Sequence, residues 1–283
     1  MEKVSVKKHS KLLAGMMFIA LSVICILFML PILAVLMNSF KGRLYISDAP
    51  FLLPDAKTFA GVSNYQNGIQ KIDFFSALGY SLFITVGSVV VIVLFTAMTA
   101  WYITRVKSKV STAIYLSFVF SMIVPFQMVM FTMSKIANML HLDNPVGLIF
   151  IYLGFGAGLS TFLYCGFIKS IPIEIEEAAM IDGCNPGQIF FRVIFPILKP
   201  IVITVAILNT MWIWNDYLLP VILIGSTFRT IPIAIQYLQG GYGSIDMGAM
   251  MAMLVLAIIP IIIFYSFCQR YIIEGVVAGA VKG

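Results

Sequence analysis

Charged residues are scarce in this sequence. Asp, Glu, Lys and Arg together make up 11% of the 283 residues, whereas 61% are hydrophobic, and the mean hydropathy is +1.02. Soluble globular chains carry about 25% charged residues, so the composition excludes that class and indicates an integral membrane protein. The formal net charge of +6 belongs to no soluble basic domain, which argues against nucleic acid as a partner.

The sequence also lacks the short motifs of catalysis. It contains neither G-x-x-x-x-G-K-[ST] nor G-x-S-x-G, so it indicates no ATP-phosphate loop and no acyl-transfer serine. Its four cysteines and two histidines form no metal-ligand or redox pattern. We therefore expect this chain to contain no catalytic residue and to bind no metal and no cofactor of its own.

Long uncharged stretches are the main feature that is present. Five stretches of 23 to 31 residues contain no Asp, Glu, Lys or Arg, and a sixth, after Lys199, is interrupted only by Asp216 before Arg229. A bilayer core of ~30 Å needs roughly 20 apolar residues of helix, and the stretches lack the alternation of barrel strands. The sequence predicts an all-α fold with six transmembrane helices, at about residues 13–37, 77–102, 111–134, 146–168, 200–223 and 248–269.

The distribution of Lys and Arg predicts the orientation of these helices. With a cytoplasmic N-terminus, twelve of the eighteen basic residues fall in inside segments, and the short connection at 103–110 is the clearest of them. Lys and Arg accumulate on the cytoplasmic side of membrane proteins. We therefore expect both termini in the cytoplasm, a cytoplasmic tail at 270–283, and a single multi-pass domain over 1–283 in contact with membrane lipid.

A polar segment at residues 170–199, here called the coupling segment, separates the fourth and fifth predicted helices on the cytoplasmic side. Its first turn carries three acids, Glu174, Glu176 and Glu177. A helix N-terminus favours such negative charge. Gly183 suits a left-handed helix end, and Asn185-Pro186-x-Gln188 has the pattern of a new capping box. The sequence therefore predicts two short helices joined by a glycine turn.

This predicted helix pair would project an acidic surface, and Pro196 is expected to end its second helix. The alternative is an interfacial segment that lies on lipid headgroups. An anionic inner leaflet would repel the glutamates and Asp182, so a protein partner with basic residues is the favoured interpretation.

The stretch EEAAMIDGCNPGQIFFRVIFPILKP (176–200) resembles the cytoplasmic coupling loop of the membrane subunits of ABC importers. Three further stretches resemble the maltose-type, carbohydrate-importing branch of that family: VPFQMVMFTMSKIANMLHLDNPVGLI, WIWNDYLLP and the terminal QRYIIEGVVAGAVKG. They occur in the family's order, and the chain is most similar to the smaller maltose permease subunit. It departs from the family's pattern at Phe195, where Leu is usual, and at Cys184, where Ala is usual.

The resemblance implies that the chain forms half of a heterodimeric pore in a bacterial cell membrane. A homologous second permease subunit would form the other half, and two copies of a cytoplasmic ABC ATPase would bind ATP and Mg and hydrolyse the ATP. An extracellular or periplasmic sugar-binding protein would deliver the substrate, a sugar and by expectation an oligosaccharide. The chain itself would be no enzyme.

Site residues carried over from the family's coupling loop would dock on the ATPase. These are Glu177, Ala178, Ala179, Asp182, Gly183, Ile194 and Pro196. A loop between the last two helices would enter the cleft of the binding protein, and it comprises Gln239, Gly240, Gly241, Tyr242 and Gly243. The alternative is a plain surface connection, since glycine-rich tips are common in loops. In the family the C-terminal tail reaches between the two ATPase chains. We expect residues 275–283 to be too small and too rich in glycine for a stable helix.

Polar residues inside the predicted helices have two open interpretations. Asn209, Trp212 and Asp216 recur at helical spacing, with Asn215 adjacent, and such a stripe can line a sugar pathway or bind neighbouring helices together. Gln127 next to Pro125 is either a pathway residue or a hydrogen-bond partner at a kink.

Two other functions remain open at the level of sequence. One is a stand-alone channel or ion-coupled carrier, for which Asp216 is the candidate ion site. The other is an ABC permease for a polyol derivative such as glycerol phosphate. Neither the individual sugar nor its length follows from the sequence.

Overall fold

The structure is a computed structural model that describes the backbone of residues 2–225, 227–239 and 246–280 and the side chains of residues 13–225, 227–238 and 246–271. Within these ranges the regular secondary structure is helical, apart from an isolated bridge between Lys41 and Phe59, and turns and irregular segments connect the helices. The α-helices are α1 (Glu2–Asn38), α2 (Arg43–Asp48), α3 (Ser63–Ile72), α4 (Phe74–Arg105), α5 (Lys109–Ser121), α6 (Phe126–Met139), α7 (Pro145–Ile168), α8 (Glu174–Ile181), α9 (Pro186–Gln188), α10 (Phe195–Ile197), α11 (Lys199–Asn215), α12 (Leu218–Leu223), α13 (Ile231–Gln236) and α14 (Met247–Ala280).

Four helical stretches in the described residues are long and apolar enough to cross a membrane. They are Leu13–Asn38, Phe74–Arg105, Pro145–Ile168 and Met247–Tyr271. They coincide with the first, second, fourth and sixth predicted helices. Two further pairs of helices qualify only when the members of each pair are taken together, which brings the number to six if each bent pair is one span.

The third predicted helix is bent instead of straight. Where the sequence predicts one helix over 111–134, α5 and α6 form with an angle of 108° between them. Pro125, with φ −65° and ψ 139°, stands immediately before α6. Its ring disfavours a helical conformation at the preceding residue and it has no N–H to donate, and the helix is interrupted here between Ser121 and Phe126.

The fifth predicted helix, 200–223, is also interrupted. α11 ends at Asn215, Asp216 is extended, and α12 begins at Leu218. A carboxylate oxygen of Asp216 accepts a hydrogen bond from the N–H of Leu218 at 3.0 Å. Because short polar side chains offer the backbone such local alternatives, they favour helix ends over helix interiors.

The sixth predicted helix is longer than expected. α14 runs from Met247 through Pro260 to Ala280, so the expectation that residues 275–283 form no stable helix is wrong as far as Ala280. Propagation of an existing helix adds one hydrogen bond for each residue fixed, whereas nucleation carries the large cost. Small residues that would not start a helix can therefore extend this one.

The described residues fall into two compact units. The first comprises the chain up to Ile72 together with Tyr237–Ile259, and the second comprises Asp73–Gln236 together with the chain from Pro260 onward. The core of the second unit lies between α4 and α7. Glycines bring these two helices close together: a Cβ on Gly87 would lie 2.6 Å from Cδ1 of Ile149.

In the first unit, residues 39–62 are here called the first connecting segment. Side-chain donors that bind backbone carbonyls of this segment hold it in its fold. The Asn64 amide, on α3, donates to the carbonyls of Ser39 at 2.8 Å and Lys41 at 2.7 Å. The buried Lys41 side chain donates from Nζ to the carbonyl of Ala49 at 2.6 Å. Backbone bonds also join Gly42 to Thr58 at 2.8 Å. The segment is thus a folded element of its own.

Candidate functional site

The coupling segment forms the predicted helix–turn–helix. α8 carries its three acids in the first turn and ends at Ile181. Gly183 has φ +82°, in the left-handed region, and the N–H groups of Gly183 and Cys184 bond to the carbonyls of Met180 and Ala179, each at 3.0 Å. This pattern is the Schellman motif, which glycine favours because it has no Cβ. The predicted left-handed conformation of Gly183 at the end of this helix is confirmed.

The capping box after this turn is also present as predicted. The Asn185 side chain accepts from the N–H of Gln188, and the Gln188 side chain accepts from the N–H of Asn185, both at 2.9 Å. Pro186 lies at the first helical positions, where a missing N–H costs nothing. Local sequence therefore sets both the turn and the direction in which the second helix leaves it.

The second helix ends at Ile197, one residue after the predicted end at Pro196. Residues Ile189–Ile194 form a π-helical turn, and Pro196 lies within α10. The wider π turn shifts the backbone hydrogen bonds, as in the bond from the N–H of Phe195 to the carbonyl of Phe190. The chain bends only after Ile197, by 78° between Pro186–Ile197 and α11.

The acids of α8 do not all point outward. Glu176 is buried, with 3% of its side chain exposed, and its carboxylate accepts from Nε of Arg105 at 2.7 Å and from Nε1 of Trp101 at 2.9 Å. Arg105 also donates from Nη2 to the carbonyl of Ile171 at 3.0 Å. The acidic surface of α8 is therefore smaller than predicted, because Glu176 is not part of it. A carboxylate is buried only where a charged or hydrogen-bonding partner compensates for the loss of water.

Trp101 links both halves of the coupling segment to α4. Its indole N–H holds Glu176, and its ring lies 5.6 Å, between centroids, from that of Phe190 in the π-helical turn. Sequence reasoning missed this cluster, since Arg105 was used only as a marker of orientation. The available signal was the spacing of four between Trp101 and Arg105, which places both side chains on one helix face near the end of α4.

The seven predicted docking residues divide between two faces. Ala179 and Ile194 are buried, and they help to pack α8 against the π-helical turn. The remaining five are exposed: Glu177, Ala178, Asp182, Gly183 and Pro196. Apolar side chains share that exposed face, among them Ile181, which is 86% exposed, and Met180. A face that mixes carboxylates with uncovered apolar side chains suits a protein partner.

In α11, Asn209 binds helices together. It is buried, and its amide donates to Oγ of Ser160 on α7 at 3.1 Å and to the carbonyl of Val205 at 2.8 Å. Of the two interpretations that the sequence left open, this geometry favours helix–helix contact for Asn209. Asn215 is exposed and donates to the carbonyl of Met211 at 2.7 Å.

Trp212 and Asp216 lie beside a residue that sequence reasoning missed. Tyr152, fully buried on α7, donates from its hydroxyl to the Asp216 carboxylate at 2.9 Å, and its ring meets that of Trp212 edge-on at 5.4 Å. Trp212 is 41% exposed. Gln127 is exposed in the first turn of α6.

The predicted binding-protein loop is described only at its edge. α13 packs against α4, and a 3-10 turn, Tyr237–Gln239, follows it. Gln239 is described for its backbone alone, and Gly240, Gly241, Tyr242 and Gly243 lie outside the described residues. Their role at the binding protein stays a prediction.

Comparison with known proteins assigns the family. Residues 92–277 match the family described as binding-protein-dependent transport system inner membrane component. The chain is 39% identical, over the whole length of both proteins, to the "Probable starch degradation products transport system permease protein" of Thermoanaerobacterium thermosulfurigenes. It is 34% identical to the "Multiple sugar-binding transport system permease protein" of Streptococcus mutans, over 98% of this chain and 100% of that protein.

A solved structure supports the fold. It is the crystal structure of a bacterial ABC transporter involved in the import of the acidic polysaccharide alginate, and one of its chains aligns with a TM-score of 0.76 at 23% identity. The alignment covers 92% of this chain and 96% of the other. The family match, the full-length relatives and the shared fold agree with the resemblance of the coupling segment. This chain belongs to the family of inner-membrane permease components of binding-protein-dependent ABC transport systems.

Proposed function

We propose that this chain is a permease subunit that carries a sugar, and specifically an oligosaccharide, into the bacterial cytoplasm. Its relatives include permeases named for starch degradation products and for multiple sugars. Trp212, partly exposed beside Tyr152 and Asp216, offers the pathway an aromatic face with a carboxylate next to it. Aromatic faces with adjacent polar groups suit sugar rings, which have apolar faces and polar edges.

In this proposal α5 with α6 forms the third span and α11 with α12 forms the fifth, so that six spans cross the bacterial plasma membrane with both termini in the cytoplasm. The coupling segment then faces the cytoplasm. The surplus of Lys and Arg in the segments assigned to that side supports this orientation.

The complete transporter would contain four further components. A homologous permease subunit completes the pore, two ABC ATPase subunits bind ATP and Mg, and a sugar-binding protein delivers the substrate from outside. Hydrolysis belongs to the ATPases, since the sequence has no phosphate-binding motif.

The observation that carries the proposal is the division of the coupling segment into an anchored side and an open side. Glu176 and Ile194 hold the segment to the rest of its unit, while Glu177 and Asp182 are exposed next to Ile181. The exposed carboxylates can accept charge-assisted hydrogen bonds from basic groups of an ATPase. A rigid element with one free face can then transmit motion as a body.

The test is purification of the intact complex through a tag on this chain, followed by reconstitution in proteoliposomes. We expect an ABC ATPase and a second permease to co-purify, and ATP hydrolysis to rise when binding protein loaded with a malto-oligosaccharide is added. Stimulation by glycerol phosphate instead would favour the polyol alternative. Uptake that needs an ion gradient and no ATP would contradict the proposal and support a carrier.

A further inference from the structure

Arg105, the last residue of α4, binds the coupling segment through two donors of its guanidinium. Nε donates to the Glu176 carboxylate at 2.7 Å and Nη2 to the carbonyl of Ile171 at 3.0 Å. Only 18% of the Arg105 side chain and 3% of the Glu176 side chain are exposed. The guanidinium thus binds the coupling segment at two points, one on α8 and one just before it. Arginine can do so because its planar guanidinium presents several donors at fixed angles, whereas lysine has a single ammonium group.

The other end of α4 holds a second segment in the same unit. The Ser81 hydroxyl accepts from the N–H of Ile231, the first residue of α13, at 2.8 Å. The ring of Tyr80 meets that of Phe228 edge-on at 5.3 Å between centroids. α4 has 32 residues and is about 48 Å long at 1.5 Å per residue, so one helix joins the coupling segment to the chain that leads into the 239–243 loop.

The Arg105–Glu176 attachment differs from ordinary apolar packing. Apolar side chains can slide past one another at modest cost, whereas separation of Arg105 from Glu176 would leave two charges without partners in a buried place. The coupling segment and the end of α4 therefore move together or not at all. Trp101, packed against Phe190, limits rotation of the segment about that contact.

We propose that the buried Arg105–Glu176 pair is the joint through which displacement of the coupling segment is passed to α4, and through α4 to the 228–231 segment at its other end. Arg105 is on this account a positioning residue, because it contacts neither sugar nor nucleotide. The inference rests on the proposed function, in which an ATPase docks on the exposed face of α8. It concerns the anchored face, which binds no partner.

The test uses the complete transporter in proteoliposomes and measures sugar imported per ATP hydrolysed, together with the amount of ATPase that co-purifies. We expect Arg105→Gln and Glu176→Gln to lower the import per ATP by about 10-fold, a usual size for coupling between two sites, with unchanged ATPase content. Lys107→Gln and Glu174→Gln make the same charge changes at exposed positions of the same two regions. These controls should keep the wild-type ratio.

A double variant separates transmission from stability. Arg105→Met combined with Glu176→Gln removes both charges, so no buried charge is left unpaired, and the thermal midpoint should return towards that of the wild type. The import per ATP should stay low. If the ratio recovers together with the midpoint, the pair is merely structural and the proposal is wrong.

Two further outcomes would also contradict the proposal that the Arg105–Glu176 pair passes displacement to α4. One is a wild-type import ratio in both single variants, and the other is loss of the ATPase from the purified complex, which would place the pair in docking. A wild-type complex that shows no sugar-stimulated hydrolysis would instead contradict the proposed function itself, before any variant is compared.

Discussion

The coupling segment and the first connecting segment are both polar interruptions between long apolar helices, yet they are held in different ways. The first connecting segment is fixed by donors that reach backbone carbonyls, as from Asn64 to Ser39 and from Lys41 to Ala49. The coupling segment is fixed to a long helix by an ion pair between side chains, Arg105 and Glu176. The hydrogen bonds of the first connecting segment hold it in its own local fold. The ion pair of the coupling segment joins that segment to the long helix α4.

This difference indicates different tasks. Bonds to backbone carbonyls maintain local shape, and their loss should lower stability without any change in what the segment transmits. An ion pair between a segment and a helix end makes the two move as one body. Variants in the two segments should therefore separate stability from coupling.

The largest loss of stability is expected at Asn64, the residue of α3 that holds the first connecting segment. Asn64→Leu removes the donor to two carbonyls in a buried site, and leaving such groups unpaired should cost about 3 kcal/mol. Asn67→Leu, at an exposed position of the same helix, should change stability by less than about 0.5 kcal/mol. Thermal unfolding in detergent measures both. A normal import ratio in the surviving Asn64→Leu transporter is part of the prediction, and a lowered ratio would contradict the comparison.

The next effect concerns the exposed face of α8. Glu177→Arg should weaken binding of the ATPase by roughly 30-fold, because it replaces charge-assisted hydrogen bonds worth about 2 kcal/mol with repulsion. Asp48→Arg makes the same change at an exposed position of the first unit and should leave affinity unaltered. Titration of the purified permease pair with ATPase provides the affinities. Equal affinities for the two variants would argue against docking at Glu177.

A smaller effect is expected at the turn between the two short helices. A Cβ at Gly183 would meet no heavy atom within 4 Å, so substitution there causes backbone strain and no collision. Gly183→Val should cost about 1–2 kcal/mol, because a β-branched residue is strained at φ +82°. Gly183→Asn should cost less, since Asn tolerates the left-handed region. Thermal midpoints compare the two, and equal losses would mean that strain is not the cause.

The smallest effect is a dependence on pH in the first unit. Partial burial would raise the pKa of the Asp246 carboxyl, but hydrogen bonds from Lys71 and from the N–H of Ala249, with the charges of Lys71 and Arg43, bring that pKa below its ordinary value. A lowered pKa in the folded state stabilises the protein above the unfolded pKa of about 3.9, and this stabilisation is lost as the pH falls through the folded value.

Asp246→Asn should therefore lower stability at pH 7 by less than about 1 kcal/mol, because Lys71 is half exposed and solvent screens the pair. The difference from wild type should shrink in high salt and at about pH 2.5, below the unfolded pKa. Thermal midpoints at the two pH values check this expectation, and a difference that grows towards the lower pH would have the wrong sign.

Much of the fold could be predicted from interactions between residues that are close together in the sequence. Uncharged length predicted the long helices, and Gly183 and Asn185 predicted the turn and the capping box because both are decided within a few residues. The bend before α6 and the π-helical turn before Pro196 depend on how a whole helix accommodates proline, which periodicity does not express.

The candidate site was predicted only in part for a related reason. Glu176 and Glu177 are neighbours of one type, and which of them is buried depends on Arg105, 71 residues earlier in the chain. Tyr152 and Asp216 likewise meet across 64 residues. Such pairings are set by packing between helices, and a single sequence shows the two members without showing that they meet.

The most direct test of the account is protection of the exposed face of α8 by the ATPase. With the four native cysteines replaced by alanine, Ala178→Cys would be labelled with a maleimide in the permease pair alone and in the complete complex. The account predicts fast labelling without the ATPase, since Ala178 is exposed, and strong protection with it, while Phe51→Cys, at a position 83% exposed in the first connecting segment, stays reactive to the same extent in both. Equal labelling of Ala178→Cys with and without the ATPase would contradict the account.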